Sequence, residues 1–199
     1  MDQFFRSNLI NSITGFKSVN LLASQDKIGI SNLAIFSQII HLGANPPLMG
    51  ILFRPQIEGM NTLNNIEETG FFTLNHILND FVAKAHWTSA KWKKSEFEAV
   101  GLTEEFLDDF PIPFVKESIL KIGLSFQEKH FLNINKTTLV VGKIEKIVIP
   151  EQFVEKDGFV NLMKTGSVAG VGIDGYYNGQ VVSRLSYAKV SKMPEFISE

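Results

Sequence analysis

The chain opens with Phe4, Phe5, Leu9 and Ile10 at helical spacing behind Asp2, a good helix cap, and Gly15 ends the pattern. A short amphipathic helix is therefore predicted over residues 2–13. From Ser18 the period changes to two, with Val19, Leu21 and Ala23 on one face of a half-buried strand. Gln25 to Gly29 reads as a turn into a second strand at Ile30 to Phe36. Leu48 to Phe53 is almost entirely apolar, as in a strand covered on both sides, and Asn45-Pro46-Pro47 fixes the backbone before it. The next helix starts at 62: Asn61 or Thr62 can cap it, Leu63 and Ile66 share a face, and Gly70 suits a left-handed C-terminal cap. Phe71 to Ile77 is predicted as a strand.

Helical spacing returns from Asn79 through Phe81, Val82, Ala85 and His86. Ser95-x-x-Glu98 has the form of a capping box ahead of a short turn that stops at Gly101. Residues 103–116 read as a connection. Beyond it Leu120, Ile122, Leu124 and Phe126 alternate with Lys121, Gly123, Ser125 and Gln127, the pattern of a one-sided strand, and Thr137 to Ile149 continues the meander until Pro150. The tail brings an Asp157-Gly158 turn, a glycine-rich passage and a last strand at Val181 to Lys189. Strands in hairpin order with few helices between them favour a mainly β fold, an antiparallel barrel with flanking helices, over alternating βαβ units.

Composition narrows the class. A chain of 199 residues, 44% hydrophobic and 20% charged, fits one globular domain spanning 1–199. Its net charge of -2 lacks the basic footprint of nucleic-acid binding, and the run Lys91, Lys93, Lys94 is broken by Trp92 and followed by Glu96 and Glu98, as on a solvated face. No apolar stretch nears the roughly 18 residues of a membrane span. The opening residues also lack the basic start and apolar block of a signal peptide. A cytoplasmic protein with no membrane partner is expected. The absence of cysteine excludes disulfides, thiolate nucleophiles and Cys-ligated zinc or iron–sulfur sites.

Several chemical patterns fail on context. Gly170-Val171-Gly172-Ile173-Asp174-Gly175 spells a dinucleotide fingerprint, yet no strand closely precedes it and Tyr176-Tyr177-Asn178-Gly179 is poor helix material, so it reads as a loop. His41, His76, His86 and His130 are too scattered for a local metal box. Gly166-Ser167-x-x-Gly170 lacks the spacing of a nucleophile elbow. Glu67-Glu68 and Asp108-Asp109 are sequence neighbours that do not face one another, and read as solvated charge.

One long stretch is specific. After the strand at Val19, Asn32-Leu33-Ala34-Ile35-Phe36-Ser37-Gln38-Ile39-Ile40 is followed by Asn45-Pro46-Pro47-Leu48 and a buried strand. This resembles the flavin reductase-like family, the FMN-binding split barrel, with Ile35 where that family usually has proline. Further likenesses follow in the family's order: Thr62-Leu63-x-Asn65-Ile66, Gly70-x-Phe72-x-x-Asn75, Ser95-Glu96-Phe97 with Gly101-Leu102-Thr103, and Val141-Gly142-Lys143-Ile144. Gly172-Ile173-Asp174-x-Tyr176-Tyr177 and Arg184-Leu185-Ser186-Tyr187-Ala188 are similar to the closing segment of one branch.

The resemblance implies a six-stranded antiparallel Greek-key split barrel, a homodimer, and FMN near the dimer interface. A flavin needs an apolar surface for its rings, hydrogen-bonding groups along its pyrimidine edge, and a cation with backbone amides for its phosphate. Backbone groups of Phe36, Ser37, Gln38, Ile39 and Ile40, with the Ser37 and Gln38 side chains, are the candidates for the ring edge. Arg54, with Asn61 and Thr62 at a helix N-terminus, is the candidate phosphate anchor, and Ser89 a further contact. Each has a structural alternative: Arg54 as a surface ion pair, Thr62 as a cap, Phe36 as core. Arg184 and Tyr187 are open between ligand contacts and dimer or barrel contacts. The implied chemistry is hydride transfer from NADH or NADPH to the flavin, then electron delivery to free flavin, oxygen or an acceptor protein, with no metal and no acid or base required of the protein. The alternatives are an electron carrier or FMN-binding module reduced by a partner protein, and an oxidoreductase acting on a specific organic substrate.

Overall fold

The computed structural model describes residues 1–55, 61–179 and 182–197. Helix α1 (Gln3–Ser12) leads into β1 (Lys17–Ser18), β2 (Asn20–Gln25), β3 (Ser31–Phe36), β4 (Ile39–Ala44) and β5 (Pro47–Phe53). Then come α2 (Thr62–Thr69), β6 (Phe71–His76), a 3-10 turn at Asn79–Phe81, α3 (Val82–Trp87) and α4 (Glu96–Val100). Strands β7 (Glu104–Glu105), β8 (Phe114–Val115), β9 (Lys121–Leu132), β10 (Thr137–Val148), β11 (Ala169–Val171) and β12 (Gly175–Tyr177) follow, with a second 3-10 turn at Glu151–Phe153.

The principal sheet is antiparallel with order β3-β2-β6-β9-β10-β5-β4, six strands and then β4 at the edge. Its connectivity forces closure. Strands β3 and β4 lie at opposite ends of that order, yet only Ser37 and Gln38 separate them. Three Cα steps reach about 11 Å at most, whereas six strand spacings laid flat would need roughly 29 Å. The sheet must therefore curl until its edges meet, and it stays split because no ladder joins β3 to β4.

Side-chain alternation divides the core around this sheet. Leu21 and Ala23 of β2 pack with Leu33, Ile77, Phe81, Ala85, Phe97 and Val100, under α3 and α4. Leu22, on the opposite face, packs with Ile51, Phe53, Ile66, Phe72, Leu74, Leu124 and Val140. A third cluster, Phe110, Ile112 and Phe114, sits in the stretch that the sequence marks only as a connection, where β7 pairs with β8. Phe110 covers Gly123, whose missing side chain makes room: a Cβ there would lie 2.7 Å from the ring.

Local expectations mostly hold. Asp2 caps α1 by accepting the Phe5 N–H at 2.9 Å. The Asp26 carboxylate organises the first hairpin by accepting from the amides of Ile28 and Ile30 at 3.0 and 2.8 Å, before Gly29 turns the chain at φ +88°. Gly70 and Gly101 take left-handed conformations at the ends of α2 and α4. The apolar face of α1, however, is not used within this chain, since none of its residues is buried and Phe4 is 70% exposed.

Four readings are corrected. The Ser95 capping box does not form: its hydroxyl makes no cap bond, and Glu98 turns to Lys94 at 2.7 Å. Strand β9 is not one-sided at its start, because Lys121 is buried as well, its ammonium paired with Glu105 and the Lys116 carbonyl. The glycine-rich fingerprint is a hairpin, β11 and β12, with β11 pairing to β1 and Gly172 at φ +69° in its turn. No last strand forms over the described part of 181–189, since no sheet edge receives it. The segment instead folds back as an irregular arm, with the Ser186 N–H donating to the Glu195 carbonyl and the Ile197 N–H to that of Arg184. Val181 lies outside the described residues. Among the described residues, no helix is long and apolar enough to cross a membrane.

Candidate functional site

The crossover that closes the barrel carries the candidate ring-edge residues. Phe36, at the end of β3, stacks at a tilt on Phe53, the last residue of β5, with ring centroids 4.7 Å apart. The Gln38 carbonyl accepts the Leu52 N–H at 3.0 Å, tying the crossover to β5. Ser37 is partly exposed and Gln38 exposed, while Ile39 turns into the core. Ile40 points outward and closes with Leu42 and Leu139 over Gly50, where a Cβ would meet the Ile40 side chain at 2.9 Å. The Ser37 and Gln38 side chains make no hydrogen bond among the described residues, and aromatic and branched apolar side chains flank them.

Cationic and amide donors lie at the end of β5 and the start of α2. Arg54 follows Phe53 directly and is exposed, with no ion pair or hydrogen bond among the described residues. Thr62 opens α2, and its hydroxyl accepts from the Asn32 amide at 2.9 Å, fastening the helix start to β3. Asn65 donates to Ser24 of β2 at 3.2 Å and adds a buried second tie. Asn61 stands at the N-cap, but its side chain makes no cap bond. The first-turn amides of α2 therefore have no side-chain acceptor from their own cap and carry the positive end of the helix dipole.

No described contact joins Arg54 to Thr62, which sits by Asn32, four residues along β3 from Phe36, and the remaining candidates lie elsewhere again. The Ser89 hydroxyl donates to the His86 carbonyl at 2.7 Å on the turn after α3, and no described contact joins it to Arg54 or Thr62. Arg184 is held by Glu155 and Asp157 and lies over the Phe159 ring at 4.0 Å, which makes it the anchor of the C-terminal arm. Tyr187 stands 89% exposed on that arm.

Three contributors escaped sequence reasoning. Phe53 was legible as core but not as the partner of Phe36, and Asn32 gave no sign of its bond to Thr62. Lys17, in a two-residue strand, is buried; burial, and then the nearby Arg54 charge, hold its ammonium below the usual lysine range. Elsewhere, the Tyr176 hydroxyl bonds His86 Nδ1 at 2.7 Å, and burial with the Asp174 charge raises its pKa. These three residues line an open hollow with Val82 and Ala83, and another hollow lies along α1; neither includes Phe36 or Arg54. The donor set of the Phe36–Arg54 region suits a phosphate, and its apolar crossover suits a flat ring.

The closed but split antiparallel sheet defines a split-barrel protein. Residues 16–170 match the family described as flavin reductase like domain, and the chain belongs to that family. It is similar to a putative flavin reductase with split barrel domain from Shewanella frigidimarina NCIMB 400, at 46% identity and a TM-score of 0.91, covering 94% of each chain. It also resembles in fold nitrilotriacetate monooxygenase component B from Bacillus cereus, at 21% identity and a TM-score of 0.81, covering 90% of this chain and 92% of that one. Among curated proteins, a chloroplastic phenylalanine–tRNA ligase beta subunit of Gracilaria tenuistipitata var. liui is 31% identical over 113 residues, 54% of this chain, and the match spans only 16% of that protein.

Proposed function

We propose that the chain is an FMN-binding oxidoreductase, an NAD(P)H-dependent flavin reductase that works as a homodimer in the cytoplasm. The observation that carries the reading is the Phe36–Phe53 pair at the barrel-closing crossover, with the exposed Arg54 directly after Phe53, while the start of α2 is fastened farther along β3 through Asn32. A putative flavin reductase at 46% identity supports it.

When bound, FMN supplies an acceptor for the nicotinamide hydride and a donor to free flavin, oxygen or an acceptor protein. The protein's work is positional. Arg54 and the first-turn amides of α2, with Asn61 and Thr62, hold the phosphate. Ser37, Gln38 and the backbone through Ile40 meet the polar ring edge, while the Phe36 and Phe53 pair fixes the shelf beneath the crossover. Ser89 contributes only if a second copy or ligand binding brings its turn to the site. No side chain need move a proton in the hydride step, so rate depends on holding two rings in contact at roughly 3–3.5 Å with water excluded.

A second copy completes the site in this reading. The exposed apolar side chains of α1 and of the arm at 182–197 support such an assembly, because their burial between copies removes apolar surface from water.

Anaerobic spectra of the purified protein with FMN, before and after each nicotinamide, test the reading. Bleaching of the flavin band by NADH or NADPH is expected. Bound flavin that bleaches only when a reductase protein is added would reassign the chain as an electron carrier, and a protein that ignores FMN would end both ideas.

A further inference from the structure

We propose that the hairpin arm at 184–197 of one copy docks on helix α1 of a second copy, and that the exchange is reciprocal. The inference rests on the homodimer of the reading above and names the surfaces that pair.

The arm is built as a projecting hairpin. Leu185 bridges Phe196 and Lys189 bridges Lys192, while the Glu195 N–H donates to the Ser186 hydroxyl at 3.0 Å. A two-stranded hairpin is marginal in water by itself. This one is fastened at its base, where Arg184 meets Glu155, Asp157 and the Phe159 ring. Beyond that clamp its apolar side chains stand in solvent, with Tyr187 89%, Met193 87% and Phe196 78% exposed. Ordering such side chains costs entropy that burial has to offset.

Helix α1 offers the complementary surface. Phe4, Phe5 and Leu9 line a hollow along it, together with Asp2, Asn8 and Ser12. Its sequence carries Arg6 and no lysine, unlike a helix that lies on a lipid surface, whose polar face is rich in both. A protein partner is therefore the better occupant, and the area favours a second copy. Five aromatic rings stand out on or beside the two elements, Phe4, Phe5, Phe16, Tyr187 and Phe196, each between 58% and 89% exposed. At about 150–250 Å² per aromatic side chain, they leave roughly 700 Å² in water. A standard interface takes about 800 Å² from each partner. The exposed Ile10, Ile13, Val190 and Met193 carry the two elements past that figure.

The position of the two elements decides how the copies meet. Within one chain they stay apart, since no residue of α1 is buried and the base of the arm is held by the turn at 155–159. Yet Phe16, after the end of α1, packs edge-on against Tyr177 of β12 at 5.6 Å, so the helix and the chain leading into the arm start from one place in the fold. Complementary surfaces that lie close together on a chain close on a two-fold axis after one exchange, whereas surfaces on opposite sides continue into a filament.

The chain has no cysteine, so introduced thiols report without background. Full-length Leu9→Cys and Met193→Cys proteins are mixed, left to exchange subunits and treated with a short bismaleimide. A covalent dimer is expected in the mixture and in neither protein alone. Phe5→Glu and Met193→Glu should each raise the dimer dissociation constant roughly 10-fold or more in light scattering, the scale of losing a buried anchor at an interface. Cross-linking of either protein with itself, or within one chain of the double variant, overturns the exchange, as does a wild-type dimer whose mixture gives no linked species. Co-sedimentation of wild type with anionic vesicles that is lost in Phe5→Glu would assign α1 to a lipid surface instead. A wild type that is monomeric at micromolar concentration removes the homodimer itself, and the docking with it, whatever its flavin spectrum shows.

Discussion

Lowering the pH from 7 to 4 should cost this protein stability through His76 in particular. The residue ends β6, partly buried, and its Nδ1 lies 3.1 Å from the Ser167 hydroxyl. Proton accounting along the chain fixes the tautomer. The Thr165 hydroxyl gives its proton to the Leu162 carbonyl at 2.8 Å, so the Ser167 hydroxyl must donate to Thr165 at 2.7 Å, which leaves Ser167 to accept from a protonated Nδ1. The neutral ring thereby keeps its Nδ1 hydrogen bond. A second proton would place an enclosed charge with no carboxylate partner among the described residues, and burial lowers the pKa from 6.5 to about 4. The unfolded chain takes up its proton near pH 6.5 and the folded chain only near 4, so stability is retained above 6.5, falls between those values and levels off below. At 1.36 kcal/mol per pH unit, the loss across that window is about 3 kcal/mol. Carboxylates also respond to acid, so the comparison is with His76→Asn, which keeps a polar side chain but does not titrate. Urea unfolding at pH 7, 5.5 and 4 should show wild type losing about 3 kcal/mol more than the variant. Two curves that fall in parallel would refute the assignment.

Three further outcomes are expected. Gly142→Ala places a Cβ 2.6 Å from the Phe72 ring and 3.0 Å from Leu124 in the core, and should cost about 1–3 kcal/mol in denaturant unfolding; a change within experimental error would mean the two strands can part. Asn32→Ala removes the bond to Thr62 and should lower stability by about 0.5–1.5 kcal/mol, with FMN weakened more than riboflavin because the start of α2 loosens. Removing residues 182–199 should shift the protein from dimer to monomer in light scattering at micromolar concentration, and an unchanged mass would release the arm from any role in pairing.

Much of the architecture could be read because it rests on local rules. Asp2, Asp26, Gly70 and Gly101 each act within a few residues of themselves, and the expected helix start or turn followed. Where the outcome depended on distant partners, local reading failed. Local competition misled it too, since Ser95 had the spacing of a cap but Glu98 found Lys94 four residues back instead. Val182 to Lys189 lacked a sheet edge to join, and Lys121 entered the core because Glu105 from another strand met it there. The site follows the same division. Phe36 through Ile40, Arg54 and Thr62 lie on a stretch with a recognisable order, whereas Lys17, Asn32 and Phe53 acquire meaning only once the sheet closes. Closure is the physical link, since a two-residue crossover between the outermost strands draws the ends of β3 and β5 together and brings β1 alongside. A longer crossover would let those edges separate, and the polar groups of Ser37 and Gln38 would then lose their fixed relation to Arg54. The brevity of that connection does for these residues what cross-links do elsewhere: it sets the distance between the Ser37–Gln38 crossover and the end of β5, the relation on which the proposed flavin site depends.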